Sequence, residues 1–190
     1  MSTSPLHEDA VRCLEAWTTP DDRQESLRRD CLALLAAEPL ATRRECRPDH
    51  LTASLLIFST DLASVLLTLH AKAGLWLQTG GHCEPGDRSL TGAALREGAE
   101  ESGLTGLEID PVPVALSRHA VPFCGPPVSG GATRHWDVQF AAVAGAGTDA
   151  VISAESTDLR WFAVDGLPAG SDDAVRHLVA AGSSRLHGCR

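Results

Sequence analysis

The chain has 190 residues, 43% hydrophobic and 22% charged, which is typical of one globular domain that buries a core without disulfides. Its 25 acidic residues against 16 basic ones give a formal net charge of −9, which disfavours general binding to DNA or RNA backbones. The sequence has no basic and apolar leader and no apolar run of about 18 residues, so we expect a cytoplasmic protein that does not enter a membrane.

The cysteines are scattered along the chain. No pair forms a CxxC motif, and no closely spaced group of Cys and His is present, so spacing gives little support for a zinc site. Without a secreted context we expect reduced thiols. The six residues are Cys13, Cys31, Cys46, Cys83, Cys124 and Cys189.

The N-terminal quarter is predicted to be helical. Apolar residues recur at helical spacing on both sides of a break at residues 18–20, and Asp21 or Asp22 is expected to cap the second helix. We assign residues 1–47 to a helical extension and residues 48–190 to the main domain. The extension is expected to pack on the domain or on a partner subunit; the alternative is that it shapes a substrate site.

The main domain alternates strands with two helices. Two apolar strands joined by a short turn predict a hairpin, and a helix made of strong helix formers is expected to end before Gly103. The predicted strands are residues 51–59, 64–70, 75–77, 112–119, 135–143 and 158–164, and the predicted helices are residues 93–102 and 175–186. This order indicates an α/β sandwich with a mixed sheet.

The most informative residues are three glutamates on the first of these helices. Glu97, Glu100 and Glu101 have i, i+3 and i+4 spacing, which places three carboxylates on nearly one face. Their mutual repulsion favours a hard cation such as Mg²⁺ as a partner, although three glutamates on a helix are often only a solvated face. A glycine-rich loop beginning at Gly80-Gly81 leads into this helix, and such a loop favours metal, water and phosphate chemistry.

The stretch from Gly81 to Leu104 resembles the Nudix box, G-x5-E-x7-R-E-U-x-E-E-x-G-U, where U is a bulky apolar residue. Gly81, Arg96-Glu97 and the run from Glu100 to Leu104 match the pattern. Three features depart from it. Asp87 replaces the usual Glu, eight residues rather than seven separate Asp87 from Arg96, and Gly98 replaces the bulky apolar residue. The resemblance implies a Nudix-type α/β/α sandwich over about residues 50–170.

The resemblance also implies roles for individual residues. Glu97, Glu100 and Glu101 would hold Mg²⁺, or alternatively Mn²⁺, together with the carbonyl of Gly81. Arg96 would orient the glutamates. Glu155, in a loop before a late strand, is a candidate base or metal ligand, and the alternative is an ordinary exposed glutamate. Which glutamate acts as the general base stays open.

Four basic side chains are candidates for substrate contact. Arg118, His119, Arg134 and His135 flank a loop rich in proline and glycine, where they could hold phosphate groups. The alternative is that they are ordinary surface residues.

Hydrolysis of a diphosphate linkage, in a nucleoside diphosphate linked to another moiety, is the function that the resemblance implies. One alternative is a non-catalytic Nudix-like domain that senses a nucleotide. A second is an enzyme similar to isopentenyl-diphosphate isomerase. The expected partner is a small phosphorylated molecule, and the family and the extra helices make a homodimer plausible.

Overall fold

The computed structural model describes residues 3–121, 124, 132–145, 150–151 and 156–188. These residues form an α/β/α sandwich, as predicted. Its helices are α1 (Pro5–Ala16), α2 (Asp22–Ala37), α3 (Leu90–Ser102) and α4 (Asp173–Gly188). Its strands are β1 (Asp49–Phe58), β2 (Ser64–His70), β3 (Trp76–Leu77), β4 (Thr79–His82), β5 (Glu108–Ile109), β6 (Ala115–Ala120), β7 (Arg134–Val143) and β8 (Ser156–Ala163).

The eight described strands form one mixed sheet. Its main path runs β3-β2-β1-β7-β5, with β4 paired to β1, β6 to β7 and β8 to β2. Strands β1 and β7 are parallel over their full length, from the pair Asp49 and Arg134 to the pair Phe58 and Val143. The other described pairs are antiparallel. The prediction of a mixed sheet is therefore confirmed.

Each face of the central strand packs into a different core. Leu55 and Ile57 of β1 lie in the core shared with α1, α2 and α3. Leu56 and Phe58 lie in the core shared with α4. Because side chains alternate along a strand, this single apolar segment supports both outer layers.

The N-terminal helices pack against the sheet and α3. The Gln24 side chain is almost fully buried and accepts a hydrogen bond from the Leu116 amide (2.8 Å) while donating to the Leu116 carbonyl (3.2 Å). Asp9 accepts a hydrogen bond from the amide of Leu90 at the start of α3 (2.8 Å). The extension therefore contacts the element that carries the three glutamates, while its division from the domain at residue 47 stays a prediction.

Sequence signals located most elements closely. The predicted hairpin is β1 and β2, Asp21 caps α2 by accepting from the Gln24 amide, and Gly103 ends α3 with φ of 67°. Helix α3 begins three residues earlier than predicted because Ser89 caps it. The short strands β4 and β5 were not predicted as separate elements. No helix in the described ranges is long and apolar enough to cross a membrane.

Candidate metal and active site

The packing of β4 against α3 places a backbone glycine directly beside a glutamate. A Cβ atom at Gly81 would lie 2.8 Å from the carboxylate atoms of Glu97. Real Cβ atoms essentially never come so close to another heavy atom, so only glycine allows this approach. The Gly81 backbone and the Glu97 carboxylate therefore lie in direct contact, without room for a side chain between them.

Arg96 is the centre of the polar contacts around Gly81 and Glu97. Its guanidinium lies 3.0 Å from Glu97 Oε1, 3.1 Å from Glu100 Oε2 and 2.9 Å from the carbonyl oxygen of His82. Hydrogen bonds to Asp87 raise the pKa of Arg96, with the charges of Glu97 and Asp87 adding to the effect against burial. Arg96 thus stays charged and links α3 to the end of β4.

The substituted and lengthened loop keeps its contact with Arg96. The two oxygens of Asp87 lie 3.2 and 3.0 Å from Arg96 Nε and Nη2. Oδ2 also accepts a hydrogen bond from the Glu84 amide (2.7 Å). An aspartate followed by one extra residue therefore makes the two-point contact of a carboxylate with a guanidinium.

The donor set fits a hard divalent cation. The oxygens nearest the Cβ position of Gly81 are the two carboxylate oxygens of Glu97, and Glu101 Oε2 is buried on the same helix. Glu100 is 58% exposed and paired with Arg96. Carboxylate and carbonyl oxygens are the ligands that Mg²⁺ and Mn²⁺ prefer.

The glycine inside the box has a packing explanation. A Cβ atom at Gly98 would lie 2.6 Å from Cδ2 of Leu55. Leu55 is fully buried in the core between α3 and β1. The Leu55 side chain of β1 therefore fills the volume that a bulky side chain at position 98 would need. The box pattern alone gives no information about this contact.

The two arginines proposed for substrate contact have protein partners in this structure. Arg134 makes a two-point ion pair with Asp49, at 2.7 and 2.5 Å. Arg118 lies over the ring of Trp136, 4.9 Å from its centroid. Burial alone would raise the pKa of Asp49, but hydrogen bonds from Arg134 and Trp136 and the nearby arginine charges outweigh it and lower that pKa.

The two histidines proposed for substrate contact lie on the opposite face of the sheet. His119 and His135 are register partners on β6 and β7, and their rings are 5.7 Å apart. Neighbouring residues of a strand project to opposite faces, so Arg118 and Arg134 project away from them. The four candidates therefore form two pairs on two faces rather than one cluster.

Sequence reasoning missed the polar residues that share a face with these histidines. Asp137 is buried and accepts hydrogen bonds from Thr52 (2.9 Å), from Ser54 (2.8 and 2.9 Å) and from Gln139 (3.0 Å). The alternation of polar and apolar residues in β1 and β7 was the available signal. The Asp137 carboxylate is therefore held by three side chains on the sheet face that also carries His135.

A group of three histidines and one cysteine was missed as well. His50, His82, Cys124 and His135 are the one group of three or more potential metal ligands that meets within 4.8 Å in the described part of the chain. They are far apart in sequence, so no spacing rule could find them. Glu155, the remaining catalytic candidate, lies outside the described residues.

Known proteins provide an independent comparison. The NUDIX domain model matches residues 48–181 of this chain. A Nudix-family hydrolase from Clostridium perfringens superposes with a TM-score of 0.57 at 21% identity, covering 74% of this chain and 98% of that one. The E. coli dihydroneopterin triphosphate pyrophosphohydrolase gives 0.56 at 18% identity, covering 73% and 97%. An Ap4A hydrolase of C. elegans gives 0.53 at 20% identity, covering 73% and 98%. No curated protein matches the sequence.

The matched residues make up well over half of the chain and include the glutamate helix, its loop and the central sheet. The chain belongs to the Nudix family. The predicted resemblance and the assignment to the Nudix hydrolases are thereby confirmed at the level of the family, and the solved structures support the fold.

Proposed function

We propose that this chain is a divalent-metal-dependent pyrophosphohydrolase that cuts a diphosphate linkage in a nucleoside diphosphate joined to another moiety. The observation that supports the proposal most directly is the packing of the Glu97 carboxylate against Gly81 beside the charged Arg96. Structural relatives include proteins described as an Ap4A hydrolase and a dihydroneopterin triphosphate pyrophosphohydrolase, and both substrates contain phosphoanhydrides.

In this proposal Glu97, Glu100, Glu101 and the carbonyl of Gly81 hold Mg²⁺ or Mn²⁺. When bound, such an ion neutralises charge on the diphosphate and makes a water molecule more acidic. Arg96 fixes the carboxylates, since it contacts both Glu97 and Glu100. A carboxylate of this group, or Glu155, accepts the proton from the attacking water.

Arg118, His119 and Arg134 are proposed as phosphate-contacting candidates, whereas His135, the fourth candidate, converges with His50, His82 and Cys124 and is treated with that group below. Arg134 and Arg118 are held by Asp49 and Trp136, so a phosphate would have to compete with these contacts. His119 is exposed, and among the described residues its side chain is hydrogen-bonded only to Ser117, so a phosphate could reach it without breaking an ion pair.

The test is turnover of a panel with Mg²⁺: nucleoside triphosphates, ADP-ribose, NADH, dinucleoside polyphosphates and isopentenyl diphosphate, with products separated by chromatography. We expect cleavage of a phosphoanhydride that stops with EDTA and falls at least about 100-fold in Glu101→Gln and Glu97→Gln. The matched control is Glu108→Gln, which removes an exposed carboxylate from β5.

Each alternative predicts a different result. A nucleotide sensor would bind panel members without turnover, and an isomerase-like enzyme would convert isopentenyl diphosphate without releasing phosphate. If folded Glu101→Gln and Glu97→Gln proteins hydrolyse at the wild-type rate, the assignment of the metal-binding carboxylates is wrong.

A further inference from the structure

Three adjacent strands each contribute one histidine to the same small region. His50 of β1 and His135 of β7 are direct register partners, and His82 ends β4, where it lies diagonally across from His50 beside Thr52. Residues paired in this way project to one face of a sheet. The ring centroids are 4.8 to 5.2 Å apart. The three imidazoles therefore converge through the strand register and not through a flexible loop.

A cysteine thiol lies next to these imidazoles. Cys124 Sγ lies 3.2 Å from His82 Nε2 and 3.7 Å from His50 Nε2. Tetrahedral zinc, with Zn–N of about 2.0–2.1 Å and Zn–S of about 2.3 Å, separates such atoms by about 3.5 Å. The observed distances lie on either side of that value. All four candidate ligand atoms are within 4.8 Å of one another.

We propose that His50, His82, Cys124 and His135 form a closed binding site for one Zn²⁺ ion, separate from the carboxylate site of the Nudix box. Three imidazoles and a thiolate are borderline and soft ligands, which select zinc over magnesium. Four protein ligands leave no open position for a substrate, so the role is structural. Binding releases the Cys124 thiol proton to solvent.

The surroundings of two histidines orient them as ligands. His50 Nδ1 lies 3.0 Å from the carbonyl oxygen of Cys46. A carbonyl only accepts, so Nδ1 carries the proton and Nε2 presents a lone pair to the group, an outer-shell arrangement common for metal-binding histidines. His135 Nε2 is buried and has no hydrogen-bond partner among the described residues. Such an orphaned nitrogen is costly unless something binds it.

The cysteine is also held in place. Arg47 donates from Nη1 to the backbone carbonyl of Cys124 and, at 2.9 Å, to Thr133 Oγ1. The Cys124 amide donates to the carbonyl of Val121, 3.3 Å away. The Cys124 side chain is only 3% exposed. These contacts fix the thiol over the imidazoles.

Neutral imidazoles are the form that binds metal, and the environment favours that form. Burial, followed by the nearby His50, His82 and His119, lowers the pKa of His135 to about 3. Burial, followed by Arg44 and His50, lowers the pKa of His82 to about 4. Burial likewise lowers the pKa of His50, so the shifts of all three imidazoles favour the neutral form that binds metal.

A competing interpretation is a nucleophilic pair of Cys124 and His82. A nucleophile needs access to its substrate and one adjacent base. Here the thiol is buried and lies against two imidazoles, with a third beside them. Convergence of three imidazoles on one sulfur is the geometry of a ligand set.

The location suggests what the ion would stabilise. His82 directly follows Gly81, and its carbonyl oxygen accepts a hydrogen bond from Arg96 (2.9 Å). An ion held by the His82 side chain would therefore fix the strand end on which the box glycine lies. Zinc binding would fix the end of β4 whether or not the proposed hydrolysis occurs.

The experiment uses the full chain without an affinity tag. We expect elemental analysis to find one Zn²⁺ per chain that excess Mg²⁺ does not displace. Replacement by Co²⁺ should give the near-ultraviolet thiolate-to-cobalt band and the visible absorption of a tetrahedral site. Zinc should also protect Cys124 from alkylation, as mass spectrometry of the peptides would show.

Variants assign the ligands. Cys124→Ser should abolish the thiolate band, and His50→Gln and His135→Gln should weaken zinc binding by more than the about 10–100-fold that altered outer-shell contacts cost. Matched controls are Cys46→Ser and His119→Gln, which remove a nearby thiol and a nearby imidazole and should leave the zinc content unchanged. Glu101→Gln should also retain zinc, which separates this site from the carboxylates.

Three results would overturn the proposal. One is a folded wild-type chain that takes up neither Zn²⁺ nor Co²⁺. Another is a metal content that does not change in folded ligand variants. The third is loss of the metal in Glu101→Gln. If Cys124→Ser does not fold, the thiolate band and the alkylation of the wild-type chain still decide whether the sulfur is a ligand.

Discussion

Asp87 and Arg96 form a two-point ion pair across a loop that is one residue longer than the usual Nudix box, with N–O distances of 3.2 and 3.0 Å. Aspartate is one methylene shorter than glutamate. The additional residue lets the backbone bring the shorter carboxylate to the guanidinium. The two departures from the pattern therefore compensate each other and leave Arg96 in contact with Glu97 and Glu100.

Asp87→Asn is expected to destabilise the protein and to reduce turnover. The change keeps the size of the side chain but removes the charge that Arg96 contacts, and the Asp87 side chain is only 9% exposed. Loss of a partly buried charged hydrogen bond costs about 1–3 kcal/mol. Urea unfolding would measure it. Glu84→Gln, an exposed change in the same loop, should stay within about 0.5 kcal/mol of wild type, and equal losses in both variants would contradict the ion-pair argument.

Gly81→Ala is expected to fold and to lose most of its activity. Its Cβ would lie 2.8 Å from the Glu97 carboxylate, which must then move away from its position beside Arg96. A shift of about 1 Å in a catalytic group can cost about 100-fold in rate. The matched control is Gly86→Ala in the same loop, because nothing lies within 4 Å of its Cβ position. Equal turnover of the two variants would show that the contact between Gly81 and Glu97 is not part of the site.

The sequence predicted the fold and the box because both depend on local patterns. Apolar runs joined by a turn located β1 and β2, alternation located β7, and a run of strong helix formers ending before Gly103 located α3. The two-residue strand β5 contains too few residues for any pattern. Helix α3 begins at Leu90 because the Ser89 cap, rather than apolar periodicity, sets its start.

The remaining site residues depend on contacts between distant parts of the chain. His50 and His135 are 85 positions apart and meet only through the parallel pairing of β1 and β7. The partner of Gly98 is Leu55, on a strand whose register with α3 no local pattern reveals. Likewise, the predicted strand begins at His135, one residue after Arg134, so the pattern did not assign Arg134 to the face opposite His135.

Gln24→Leu is expected to weaken the docking of the N-terminal helices. Gln24 is 2% exposed and makes both backbone hydrogen bonds of Leu116 at the edge of β6. Leucine has a similar size but leaves a buried amide and carbonyl without these partners, a loss of about 1–3 kcal/mol. Chemical unfolding would measure it, with exposed Arg23→Leu as the control. An unchanged midpoint would mean that the extension contributes little to stability.

Cys31 is expected to resist thiol reagents in the native protein. The Cys31 side chain has no exposed surface, and this burial raises its pKa to about 12. Because the folded pKa lies above the ordinary value of 9.0, the neutral thiol stabilises the fold below about pH 9, and this contribution is lost as the pH rises toward 12. Pulse alkylation at pH 8 with peptide mapping should label half-buried Cys46 before Cys31. Equal labelling of Cys31 and Cys46 in the absence of denaturant would contradict the burial of Cys31.

Gly98→Ala is expected not to give the stabilisation of about 1 kcal/mol that helix propensity alone predicts. Its Cβ would lie 2.6 Å from Cδ2 of Leu55, which has no exposed surface into which it can move. Overpacking of this kind costs about 1–3 kcal/mol, so the net result should be a loss of stability.

In a Leu55→Val background the obstructing carbon is gone, and Gly98→Ala should become stabilising relative to that background. A double-mutant cycle by chemical unfolding measures this coupling. Additive effects at the two positions would mean that Leu55 does not explain the glycine, and that its presence in the box has another cause.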